Sequence, residues 1–387
     1  MTINGPVALR VRRWKQPQGP SRRPGEQALG LALGQPSVGL RQMACELGVT
    51  ANSSFAREER LFDKLGMGPV SREKLRQVVE SEGQRVEQAQ QQQQFPLPWQ
   101  ARGCPDAPRT GSLVCMGVDG TMTRQITDCE KRKRREKTAQ KRAAQSAAGK
   151  KLKPLAAPKR GTDGPWKEVK MVGAYQHHHE HRHWRSTTQN HLKAAILITQ
   201  VARRVGLAGS DAAVAVVDGA EWIEARLREH LPNLTAIILD FFHLAEHVHA
   251  AAREVFGDGT QTARDWAEQA LTTIRHHGFG AFDAMLEQSI TEHARSPGAG
   301  AALTKLRQYV TQRRAMVDYP YFESQGWPIG SGPTESMAGI LTTRIKGRGR
   351  RWDPTHIDAV MALAALDVGD EWQPYWQAQT PAQKTAA

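Results

Sequence analysis

The sequence predicts an α/β fold, a mixed sheet joined to a long all-α segment and preceded by a helical block. Three observations predict it. Short apolar or alternating runs at 113–118, 166–175, 183–188, 212–217 and 234–239 have strand length. The last two alternate with helical stretches at 190–206 and 221–230, which favours parallel pairing among the later strands. From Phe241 to about Tyr319 every stretch has helical periodicity.

In chain order, residues 1–36 are rich in Pro, Gly, Arg and Gln without periodicity, and are expected to be loosely ordered. Residues 37–88 form a helical block. Two helices flank a turn at Val49–Ala51 with Ser53 or Ser54 as N-cap, and a third is capped by Ser71. The block suits a helix-turn-helix DNA reader or a plain scaffold. Residues 89–110, with Gln90–Gln94 and Pro96–Pro98, are expected to be a linker. The sheet region is 111–240, with a basic insertion at 131–160. Within it Asn190 should cap a helix that Gly206 stops, and Pro232 should close the helix at 221–230. The all-α insertion spans 241–326. Residues 327–376 open on a tight turn, Trp327–Thr334, into a helix that Gly347 ends, and 377–387 read as a disordered tail.

Composition narrows the function. The chain has 387 residues and a formal net charge of +14. The excess is concentrated: residues 131–160 hold 13 Lys/Arg and one acid, 1–30 hold six and one, and 344–351 hold five and none. The remaining 319 residues carry a net of −8. Three basic stretches on a mildly acidic body fit a polyanion partner better than solvated linkers do, because clustered cations release counterions from a phosphate backbone. No apolar run approaches the ~20 residues a spanning helix needs, which argues against a membrane protein. The N-terminal stretch lacks the apolar core and cleavage site of a secretory signal. Cys45, Cys104, Cys115 and Cys129 show no CxxC spacing and read as reduced thiols in a cytosolic protein.

Three acids stand out. Asp119 and Asp218 each directly follow a buried apolar run and precede a Gly. Ligands of open α/β sheets bind at the carboxyl ends of strands, although Asp–Gly pairs are also common turns. Glu335 lies in the first turn of the helix after 332. At ~100° per residue it shares a face with Gly339, Thr342 and Lys346, while Met337, Ile340, Leu341 and Ile345 lie opposite. Three carboxylates on one surface repel each other and need cations. Oxygen ligands suit Mg²⁺ or Mn²⁺, and two such ions can assist phosphoryl transfer. The run at 177–183 (HHHEHRH) lacks fixed spacing and is expected to be an exposed loop. Most of the ten Trp are expected in the core, with Trp352 the best candidate for stacking on a base.

The stretches VVDGAEWIEARLREHLPNLTAIILDFFHLAEHV and PIGSGPTESMAGILTTRIKGRGRRW resemble bacterial insertion-sequence DDE transposases, in particular the Kra-type group of the mutator-like clan. The resemblance covers roughly residues 37 to 376. It implies an RNase H-like core with an all-α insertion between the second Asp and the Glu. It also implies a catalytic, metal-binding triad of Asp119, Asp218 and Glu335, cleaving DNA ends with Mg²⁺ or Mn²⁺, in two ions, and a strand transfer of the freed 3′-hydroxyl. Asp240 and His243 match the clan's Asp/Cys-x-x-His signature, implying a supporting role. Asp240 also ends a strand run and is the alternative second acid; His243 would meet a DNA phosphate or orient Asp240. Lys346, Arg344, Arg348, Arg350, Arg351 and Trp352, with Lys131, Arg132, Lys133, Arg134 and Arg135, would contact DNA. The implied partners are terminal inverted repeats, target DNA and at least a second copy of the chain, in a bacterial cytoplasm at the nucleoid. Relatives often carry an N-terminal Cys-pair zinc segment; the stretch VRRWKQPQGPSRRPGEQ has no Cys. A transposase-derived DNA-binding regulator and a metal-dependent nuclease are the other classes the residues allow.

Overall fold

A computed structural model describes residues 36–50, 54–105, 111–155, 157–177, 181–293, 296–347 and 349–379. The segment expected to be loose, Pro36 apart, and residues 380–387 of the expected tail lie outside the described residues. The chain is α/β. Helices α1 (Val38–Thr50), α2 (Phe55–Lys64) and α3 (Arg72–Gln91) come first. Then follow β1 (Leu113–Arg124), α4 (Asp128–Ala147), β2 (Trp166–Gln176), β3 (Arg182–Thr187), α5 (His191–Val205), β4 (Ala212–Val217), α6 (Glu221–His230) and β5 (Ala236–Leu239). The all-α insertion supplies α7 (Phe241–Phe256), α8 (Gln261–Glu292), α9 (Pro297–Gln312) and α10 (Tyr319–Ser324); α11 (Gly332–Lys346), α12 (Pro354–Val368) and α13 (Trp372–Gln379) close the chain.

The five strands form one sheet in the order β3-β2-β1-β4-β5. β1, β2 and β3 pair antiparallel, and β1, β4 and β5 pair parallel. That order, with those directions, is an RNase H-like core. The parallel half is pinned at its start by Asp211, whose Oδ2 accepts the Ser112 N–H at 2.7 Å and Oγ–H at 3.0 Å. Central β4 is apolar along its length, as a strand covered on both faces must be.

Local signals behave as their chemistry predicts. Ser54, Ser71 and Asn190 cap α2, α3 and α5, each accepting the backbone N–H three residues on. Gly206 ends α5 in the left-handed conformation. The predicted strand at 234–239 starts later, at Ala236, because Leu234 lies in the turn that follows α6. The basic insertion opens as α4, which buries no residue and begins with a capping box between Thr127 and Glu130. The His run is not an exposed loop throughout. His183 is buried in β3, where its Nδ1 lies 2.5 Å from Glu371, because β3 is a paired strand packed under α12; residues 178–180 lie outside the described residues.

The N-terminal helices have a small core of their own around Leu40, Phe62 and Leu75. They also enter the main core through Cys45, Val49, Val79 and Val86. α3 crosses α12 so closely that a Cβ on Gly83 would collide with the Ala359 carbonyl. Cys45, Cys104 and Cys115 are buried and Cys129 is exposed; all four are free thiols. Among the described residues no helix is long and apolar enough to cross a membrane.

Candidate active site

β1 pairs with β4 only as far as Gly117↔Val216, whereas its pairing with β2 runs on to Arg124↔Trp166. Continuing the parallel register by two residues sets Asp119 beside Asp218. Asp119 therefore does not end a strand, as its Asp–Gly pair suggested. It lies within β1 because β2 continues to satisfy the backbone there, and what ends is the parallel ladder. Asp218 does follow the last residue of β4, and its Oδ1 accepts the Ala220 N–H at 2.9 Å. The two strands part here, at the carboxyl end of the parallel pair, which is where ligands of open α/β sheets bind.

Glu335 lies in the first turn of α11, and this helix packs on β1. Gly117 faces Gly173 across the antiparallel pair. A Cβ on Gly117 would lie 2.5 Å from Thr334 Oγ1 and 2.8 Å from the Trp184 ring, so only glycine lets the helix sit this low. Trp184 stacks on Tyr175 with centroids 6.2 Å apart, and the Tyr175 hydroxyl is 3.5 Å from Thr334 Oγ1. Side chains alternate along a strand, so Asp119 shares the face of Gly117 that α11 covers. Thr334 is buried there and the adjacent Glu335 emerges into solvent.

Burial first of all, and then the charges of Asp218 and Glu335, push the Asp119 carboxyl above its ordinary value; the Gly120 N–H and the Lys346 charge act in the opposite direction.

A second grouping overlaps this one. Asp240, His243 and Glu335 each offer a ligand atom, and these atoms lie within 4.8 Å of one another. Asp240 is fully buried as the N-cap of α7. Its Oδ1 accepts the Phe242 N–H at 2.6 Å and the His243 N–H at 2.9 Å, and its Oδ2 accepts the Ser331 N–H. Ser331 in turn donates its hydroxyl to Glu335 Oε1 at 2.7 Å. Asp240 is thus the anchor of the loop that launches α11. Its oxygens already serve three N–H groups, while Asp119, Asp218 and Glu335 keep more of their lone pairs for an ion. Among the described residues, the ligand atoms that converge within 4.8 Å are those of Asp240, His243 and Glu335, and Asp119 and Asp218 are not in that group.

The basic flank is placed unevenly. On α11 the exposed stripe is Glu335, Gly339, Thr343 and Lys346. Thr342, expected beside Glu335, is buried and bonded to the Ala338 carbonyl at 2.6 Å; Ile340, expected on the opposite side with Met337, Leu341 and Ile345, is 50% exposed while those three are buried. The reason is that α11 packs against both β1 and α12, which turns its Thr342 side inward. Arg344 does not face solvent. It is buried against Glu58 of α2 at 3.2 Å, with its guanidinium over the Phe55 and Trp352 rings. Trp352 is half-buried and joins the core. Arg350 donates to the Arg344 carbonyl at 2.5 Å, Arg351 pairs with Glu130, and Arg348 lies outside the described residues. Arg132, Lys133, Arg134 and Arg135 are exposed on α4, and Lys131 pairs with Asp353 at 2.6 Å.

Two residues at the site escaped the sequence reading. Ser331, the link between Asp240 and Glu335, sits in a Gly–Ser–Gly turn that signalled a bend and nothing more. Arg313, at the end of α9, donates to the Gly219 carbonyl at 2.9 Å and so ties the helical insertion to the turn after Asp218. No spacing signal marks it.

No protein-family model matches the chain, and no curated protein matches it. Among solved structures it is similar to the Drosophila P element transposase strand transfer complex at 10% identity and a TM-score of 0.30, over 91% of this chain and 83% of that chain.

Proposed function

We propose that the chain is a DDE-type DNA transposase in which Asp119, Asp218 and Glu335 form the reacting centre. What supports this reading is that the parallel register sets Asp119 level with Asp218 where β1 and β4 part, and that α11, whose first turn carries Glu335, packs on β1. The carboxylates would hold one or two Mg²⁺ or Mn²⁺ ions, whose Lewis acidity assists in-line displacement at phosphorus. Water attacks the phosphodiester and frees a 3′-hydroxyl at the element's end. That hydroxyl then attacks a target phosphodiester and expels a second 3′-oxygen, so one phosphodiester forms for each one broken. Lys346 lies on the exposed stripe of α11 with Glu335 and holds the backbone near the reacting phosphate. Asp240 and Ser331 position Glu335. Two DNA ends must be joined, which calls for at least two copies of the chain on DNA.

The test uses labelled DNA carrying the sequences that bracket the gene, with Mg²⁺ or Mn²⁺. Wild type is expected to nick and join it. Asp119→Asn, Asp218→Ala and Glu335→Ala are each expected to bind but not cut. Cutting without joining would make the chain a nuclease. Binding without cutting by wild type would make it a regulator and sink both enzyme readings. Full activity in Asp218→Ala with none in Asp240→Asn would move the second acid to Asp240.

A further inference from the structure

Beyond the carboxylates, a cleft of about 440 Å³ lies between the N-terminal helices and the C-terminal arm. Arg76 of α3, Arg134 of α4, and Arg350 and Arg351 of the loop after α11 line it, with Trp352 at its wall. Its acids are occupied. Glu80 is bonded to Arg76 at 2.6 Å and His356 at 3.0 Å, Arg76 also pairs with Glu73 at 2.6 Å, Arg351 pairs with Glu130 at 2.5 Å, and Asp353 is paired with Lys131 at 2.6 Å. Arg134 makes no ion pair among the described residues. Arg350 donates hydrogen bonds to the Arg344 and Thr343 carbonyls. Burial holds the Arg350 and Arg344 guanidinium groups below their ordinary pKa, a cost that an anion in the cleft would relieve.

We propose that this cleft grips the sugar-phosphate backbone of one DNA strand, with Arg134 and Arg350 on phosphates and Arg76 bringing the N-terminal helices into the same footprint. The inference rests on the reading that the chain acts on DNA. The cleft is at the small end of the ~300–1,000 Å³ typical of ligand pockets, too small for a duplex and sized for a strand segment. A polymer is favoured over an isolated phosphate because the cations continue along α4. This helix has 20 residues, none buried, and is ~30 Å long, the rise of roughly nine base pairs. The N-terminal block thereby contributes a backbone contact as a wall of the cleft.

The experiment is fluorescence anisotropy of a 20-base-pair duplex of arbitrary sequence with the full chain, between 50 and 200 mM KCl. Wild type, Arg134→Ala, Arg76→Gln and the distant surface variant Arg226→Ala are compared, with melting curves as a check on folding. Removing one cation from a phosphate is expected to reduce the salt slope by about 0.9. The affinity ratio between the two salt concentrations then shrinks ~3.5-fold in Arg134→Ala and in Arg76→Gln, alike for unrelated sequences, and stays unchanged in Arg226→Ala. Wild-type binding with unaltered slopes in both cleft variants would overturn the clamp and leave the DNA reading intact. Failure of wild type to bind any duplex would remove both. Inorganic phosphate is expected to displace DNA no better than chloride at equal ionic strength; preferential displacement would reassign the cleft to a small anion.

Discussion

Asp119 occupies a position where a negative charge is unfavourable, half-buried and facing two further carboxylates. In the proposed function, metal binding and stability therefore oppose each other at this residue. Asp119→Asn keeps the shape and removes the charge. Without divalent ions it is expected to melt higher than wild type by ~1–2 °C, the shift about 1 kcal/mol gives at an unfolding entropy of ~2.1 cal/mol/K per residue over 387 residues. Added Mg²⁺ or Mn²⁺ should raise the wild-type melting temperature and leave the variant unmoved, since only wild type gains a bound ion. A variant that melts lower in metal-free buffer would show that the charge is compensated. Glu371 is the opposite case. It too is buried, but His183 at 2.5 Å and Arg204 at 2.9 Å outweigh that burial and hold its carboxyl at about 2. A lowered carboxyl pKa stabilises the fold above the unfolded value of ~4.3, and that contribution is lost as pH falls toward 2. Glu371→Gln should cost ~3–5 kcal/mol at neutral pH, the usual result of breaking one side of a buried pair. In denaturant melts the gap to wild type should close between about pH 4.3 and 2; a gap independent of pH would assign the loss to packing.

At the scale of elements, the site depends on how low α11 sits on β1 and how firmly its first turn is held. Gly117→Ala places a methyl group against Thr334 and Trp184 and is expected to lift the helix, at a cost of ~1–3 kcal/mol for overpacking. DNA cutting should fall far more than stability does, because Glu335 is displaced with Thr334. Equal losses in both would show that the close approach only supports the core. Asp240→Asn tests the other anchor. One oxygen can still serve Phe242 and His243, but the new amide would point a donor at the Ser331 N–H. An unsatisfied buried donor costs ~1–3 kcal/mol, and cutting should drop while duplex affinity holds. These two contacts also mark where the sequence stops being readable. β4, α6 and the caps at Ser71 and Asn190 are local, set by apolar runs and side-chain oxygens near their own backbone, and they could be located residue by residue; the cap at Ser54 was narrowed to Ser53 or Ser54. The length of β1 was not, because Asp119 to Arg124 is a strand only by virtue of β2, more than forty residues away. The inward turn of Thr342 and Arg344 likewise follows from α12 and Glu58, which periodicity along α11 does not contain. Asp218 was conspicuous because it follows an apolar strand run and Glu335 because it opens a helix; Ser331 and Arg313, marked by no spacing, were not.

For the whole molecule, three contacts make the N-terminal helices part of the same body as the sheet rather than a detachable unit. Gly83 lets α3 lie directly on the α12 backbone. Arg41, Glu82 and Tyr375 form a buried cluster between α1, α3 and α13, with Arg41 Nη1 2.9 Å and the Tyr375 hydroxyl 2.7 Å from the Glu82 carboxylate. Arg344 of α11 is buried against Glu58 of α2. Removing residues 1–91 would leave the Arg344 charge without this partner and strip the cover from α12, whose buried face includes Val360, Leu363 and Ala364. A truncated chain starting at Gln92 is therefore expected to be insoluble, or to melt without a cooperative transition. Glu58→Gln in the full chain should cost ~3–5 kcal/mol, as for any buried ion pair broken on one side. Circular dichroism melts of both proteins decide the matter. If the truncated chain unfolds cooperatively near the wild-type temperature, the helices are an appended module, free to read DNA independently. If it does not, the N-terminal block, the α11 helix that carries Glu335 and the basic cleft between them form one structural unit, and any DNA gripped in the cleft is held in a fixed relation to the three carboxylates.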